Sequence, residues 1–125
     1  FGAGARGGRV AVAPSGGSLN RADSLGATAT LVHGGAIILT AVHAINTTSA
    51  DAYVQIFDAA AAADVTVGTT IPDWVVMSDF GVGLVSQSDG LPTNGLSFRL
   101  GLVAASTTTP TGNSAATQHA RFVIF

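Results

Sequence analysis

Residues 34–57 read Gly-Gly-Ala-Ile-Ile-Leu-Thr-Ala-Val-His-Ala-Ile, then Asn-Thr-Thr-Ser-Ala-Asp, then Ala-Tyr-Val-Gln-Ile-Phe. Two apolar runs flank a short polar segment, the pattern of two strands joined by a turn. The first run has no polar side. Ile37, Leu39 and Ala41 fall on one face, and Ala36, Ile38 and Val42 on the other. A strand loses its alternation when both of its faces are covered. One cover is expected to be the core of the domain itself and the other a neighbouring subunit.

Working outward, the same texture repeats. Residues 95–105 alternate, with Leu96, Phe98, Leu100, Leu102 and Ala104 on one side and Ser97, Arg99, Gly101 and Val103 on the other. Period two over that length predicts a half-buried antiparallel strand. Residues 73–78 predict another, with Trp74 and Val76 opposite Val75 and Met77, and residues 119–125 a last one. Residues 24–33 form a further candidate, ended by Gly34-Gly35 as a break or bulge. Residues 19–23 read as irregular. Asp58, five alanines and Asp64 are too short for an independent helix and predict a helical turn or loop, followed by a short strand around Val65 and Val67. Asp89-Gly90 and Asn94-Gly95 are turn dipeptides. About eight strands with turns between them and no helix predict an all-β fold, an antiparallel β-sandwich of jelly-roll or Ig-like topology.

Residues 1–24 are set apart as a Gly-rich arm with a first short strand at 9–13, and residues 25–125 form the single sandwich domain. Four glycines in the first eight residues leave that stretch without packing of its own. Arg6 and Arg9 are followed by only a short apolar run before Pro14, so no secretory leader is expected here. The longest apolar run, 34–45, is interrupted by Thr40 and His43 and falls short of a membrane span.

Charged residues make up 10% of the 125-residue chain, with a net charge of −2, and neither Lys nor Glu occurs. That is well under the roughly 25% of an ordinary domain. So few cations exclude a nucleic-acid partner, which demands clustered Lys and Arg against phosphates, and an anionic membrane surface as well. The absence of cysteine excludes disulfides and thiolate chemistry. Hydrophobic residues reach 47%. High apolar content with little charge suits a subunit of a larger assembly better than a free monomer.

No catalytic constellation emerges. There is no Gly-x-Ser-x-Gly elbow, and His33, His43 and His119 lie on three strands without metal-ligand spacing. The seven Asp build no calcium loop, and paired-carboxylate chemistry would rest on Asp alone. No cofactor is expected. Asn46-Thr47-Thr48 matches a glycosylation sequon, and also a plain Asx turn, which is the expectation.

The stretches 43–58, 65–72 and 95–109 together resemble small virion structural proteins of tailed bacteriophages, namely capsid decoration or cement proteins and related head-surface proteins. The resemblance covers residues 27–125 and rests on strand and turn texture. It implies a non-enzymatic subunit on the capsid surface, bound to the major capsid protein or other virion proteins, and a homo-oligomer, with a trimer favoured. The candidate interface residues are Arg6, Arg9, Ile38, Val42 and Arg99. A second reading is a carbohydrate- or receptor-binding module of a phage head fibre or tail. It calls for Trp74 or Tyr53 exposed in a groove beside Asp and Asn.

Overall fold

The computed structural model describes residues 17–78, 85, 86, 91, 92 and 94–125. The arm at 1–8, the strand expected at 9–13, Arg6, Arg9 and the Asp89-Gly90 turn lie outside them. Nine strands are described: β1 (Ser18–Leu25), β2 (Thr30–Gly34), β3 (Ile37–Ile45), β4 (Ala52–Asp58), β5 (Trp74–Ser78), β6 (Val85–Ser86), β7 (Leu96–Phe98), β8 (Gly101–Thr107) and β9 (Gln118–Ile124). They form two antiparallel sheets, β1-β9-β3-β6 with β7 also on β3, and β2-β8-β4-β5. β7 pairs with the start of β3 and β6 with its end, so the two share one edge and each sheet is four strands wide.

The pairings nest. β1 lies beside β9, β2 beside β8, β3 beside β6 and β7, and β4 beside β5. The chain is therefore one long hairpin rolled up into a sandwich, which is the jelly-roll topology and not the Ig-like one. The main core lies between the sheets and includes Leu25, Leu39, Val42, Val54, Ile56, Val76, Phe98, Leu102 and Phe122.

The decisive strand, β3, has one core face and not two. Its partner register on β9 skips a residue between Leu39 and Ala41, which is a β-bulge. Ile37 and Leu39 face the core before the bulge, and Val42 and Ala44 face it after. The Thr40 hydroxyl donates to the Val123 carbonyl at 3.1 Å across the irregularity. Unbroken period two places Val42 beside Ile38 on the outward side. The bulge reverses the phase and buries Val42, which is 1% exposed.

The alternation over 95–105 also divides. Leu96 and Phe98 belong to β7 in the first sheet, whereas 101–107 form β8 at the centre of the second. The chain changes sheets at Arg99-Leu100, which leaves Leu100 54% exposed. β8 is buried along its whole length, Val103 included. Residues 19–23, expected to be irregular, lie in β1 and pair with β9, so the sandwich starts no later than Ser18. Residues 26–29 are outside β2, and Val65 and Val67 form no strand.

Candidate functional site

Each sheet has an outer face, and the chain treats the two differently. On the second sheet Phe57, Val103 and Ala105 point outward, and Ala59, Val65, Ala29 and Val67 pack over them as a second, smaller core. The cover is the long β4–β5 connection, residues 59–73, which holds a 3-10 turn at Ala62–Asp64. Asp73 pins its far end. Its backbone N–H donates to the Ile56 carbonyl, and its carboxylate accepts from the Asp58 N–H at 2.7 Å.

Asp58 fastens the near end. Its carboxylate accepts from the backbone N–H groups of Arg99, Leu100 and Gly101, at 2.8 Å from Leu100. Burial opposes ionisation of this carboxyl, but the three N–H donors and the Arg99 charge outweigh it and hold it below the usual carboxylate range. The corner is tight. A Cβ at Gly101 would sit 2.6 Å from the Ala59 carbonyl oxygen, so only glycine lets the two segments meet.

On the first sheet no described segment covers the outer face. The strand registers place Leu19, Val123 and Ala41 in one row across β1, β9 and β3, and Arg21, Arg121 and His43 in another. Leu19 is 56% exposed and Ile38 37% exposed. Past the end of β9, Phe125 exchanges both backbone hydrogen bonds with Ile38 and leaves its ring half exposed. Ala36, Ile38, Ser97, Phe98 and Phe125 line a shallow apolar depression of about 390 Å3. At the opposite end of the face the surface is polar. The Arg121 guanidinium lies 2.8 Å from the Asp23 carboxylate, and His119 lies 3.9 Å from the same oxygen. The face is thus apolar at one end and charged at the other.

Ile38 stands on this face, Val42 beneath it in the core, and Arg99 exposed at the sheet-changing corner past β7. Sequence reasoning missed Leu19, Val123 and Phe125. The signal for Leu19 lay in the alternation of β1, Leu19-Asn-Arg21-Ala-Asp23, which polar residues disguised. Trp74 is half-buried against the main core, and Tyr53 is half-buried on the outward row of β4.

Buried polar groups close one end of the sandwich. The Ser78 hydroxyl donates to Gln118 Oε1 and Gln118 Nε2 donates to Ser106 Oγ, both at 2.8 Å. Asn46 Nδ2 donates to the Ala50 and Ser78 carbonyls, and its Oδ1 accepts from the Thr48 N–H and hydroxyl. The sequon asparagine is therefore a buried Asx-turn residue with both amide hydrogens engaged. Among the described residues no group of three or more His, Asp or Glu is placed to hold a metal ion, and no helix is long and apolar enough to cross a membrane. Comparison with protein families, with curated proteins and with solved structures finds no match to this chain.

Proposed function

We propose that the chain is a non-enzymatic virion structural protein, a capsid decoration or cement subunit of a tailed bacteriophage. In this reading the outer face of the first sheet docks on the major capsid protein or on a neighbouring copy. The observation that carries the reading is that bare, partly apolar face on a chain with so little charge. Apolar surface left open on one face, with a charged rim, suits a protein partner. The jelly-roll fold occurs in viral capsid proteins; that is support by analogy of fold alone, and it accords with the resemblance carried by the sequence. The function is mechanical: area buried between capsomers resists the pressure of packaged DNA.

Mass spectrometry of purified particles tests the proposal. A copy number on the scale of the capsid lattice is expected, and a handful of copies would place the protein at the neck or tail. Ile38→Asp should abolish rebinding to undecorated heads while the sandwich stays folded. Glycan binding that is lost in Trp74→Ala with the fold intact would replace this reading with a receptor-binding one.

A further inference from the structure

We propose that the chain joins a second copy of itself head to tail, with Ile71 of one copy seated in the apolar depression of the next. The inference deepens the docking on a neighbouring copy put forward above, and it needs no capsid. Ile71 is 82% exposed, more than any other large apolar side chain among the described residues. It lies near the end of the β4–β5 connection, over the outer face of the second sheet. Lone exposed apolar residues are common and by themselves mean little. This one is braced on both sides. Before it, the Thr69 and Thr70 N–H groups donate to the Thr66 carbonyl, and the Thr66 N–H donates to the Thr70 hydroxyl at 2.9 Å. After it, Pro72 has a fixed φ and disfavours a helical turn at Ile71, and Asp73 is tied to Ile56 and Asp58. The side chain is presented already ordered, which lowers the cost of binding.

The depression on the first sheet is braced as well. Phe125 exchanges its two backbone hydrogen bonds with Ile38 at 2.8 and 3.1 Å. A Cβ at Gly17 would lie 2.8 Å from the Phe125 ring, and one at Gly95 would lie 2.7 Å from Ile38 Cγ2. Backbone thus presses on both walls and fixes them. The volume of about 390 Å3 between Ile38, Phe98 and Phe125 falls in the range of small-ligand pockets and admits an isoleucine side chain. An apolar lining selects an aliphatic knob over a charged one, because a charge brought into it loses water without gaining a partner.

Knob and depression lie on opposite outer faces of the sandwich. One neighbour cannot engage both, so each copy offers its knob to one neighbour and its depression to another. Such a contact closes into a ring or runs on as a filament. A net charge of −2 per chain puts little repulsion between copies.

Two variants and their mixture test the contact. Sedimentation of the isolated full chain over a concentration series should show wild type assembling beyond a monomer. Ile71→Asp removes the knob and Ile38→Asp charges the depression. Each alone should weaken self-association by about 30-fold, the loss expected for one hot-spot side chain. An equimolar mixture should recover a dimer and stop there, because one intact knob meets one intact depression and the other pair is dead. Circular dichroism checks that each variant is folded. Ser97→Trp, which fills the depression from an exposed position, replaces Ile38→Asp should that variant unfold. Wild type that stays monomeric, Ile71→Asp that associates as tightly as wild type, or a mixture that gives no dimer would each overturn the proposal. No particle enters the measurement, so its failure is distinct from failure of the virion reading, which the particle copy number decides.

Discussion

The outer face of the second sheet and the outer face of the first are built from similar strands yet end differently. The second carries Phe57, Val103 and Ala105, and its own β4–β5 connection seals them. The first carries Leu19, Ile38 and Phe125, and they stay exposed. Among the described residues, the chain covers one outer face and leaves the other open. Phe57 on the outer row of β4 packs under Ala59 and Val65, whereas Ala41 and Val123 lie beside Arg21, Arg121 and Asp23.

The contrast breaks if the lid carries no energy. Phe57→Ala should destabilise the isolated protein by about 3–5 kcal/mol, as for any core phenylalanine, and urea midpoints read it directly. A loss below about 1 kcal/mol would mean that the second outer face is no core at all. Next in size is the clasp that holds the lid. Asp58→Asn should cost about 1–2 kcal/mol, since charge-assisted bonds to three N–H groups weaken but solvent screens the group. Because the folded carboxyl titrates below its unfolded value, its contribution is full above the unfolded pKa of about 3.9. It fades as pH falls through the lower folded value. Acid titration of wild type against Asp58→Asn should show the two stability curves converging at the acid end, and parallel curves would remove Asp58 from the clasp.

On the bare face the expected effects on stability are small. Asp23→Ala removes the partner of Arg121 and leaves Arg21 and Arg121 as cross-strand neighbours, which should cost about 0.2–1 kcal/mol and less at high salt. Ile38→Ser should lie within about 0.5 kcal/mol of wild type in the isolated domain. Under the proposed docking of a second copy on this face, it should nonetheless weaken self-association in sedimentation or light scattering. A variant that left association untouched while unfolding the domain would invert the comparison.

The sequence made the class of fold legible and hid the faces. Alternation in 73–78 set Trp74 and Val76 on one face and Val75 and Met77 on the other, and Val76 is buried where Met77 is exposed. It failed in β3 because a bulge at Thr40 and Ala41 shifts the phase by one residue, and nothing local to those residues announces it. It failed over 95–105 because the chain turns a corner between sheets at Arg99-Leu100 without disturbing the pattern. The small core over Phe57 was invisible because Ala59 sits in a segment read as a helical turn or loop and Val65 in one read as a short strand, with nothing to fold either back over β4. Of the candidate interface residues, Ile38 stands on the open face and Val42 does not. The reason is that same bulge.

The hydrogen bonds from Ser78 to Gln118 and from Gln118 to Ser106 join the two sheets at one end, and Asn46 adds another to the Ser78 carbonyl. The hydrophobic effect that holds the apolar layers together has no direction of its own. Hydrogen bonds lose strength steeply with misalignment. These few buried amides and hydroxyls therefore act as a latch that sets the alignment of one sheet against the other.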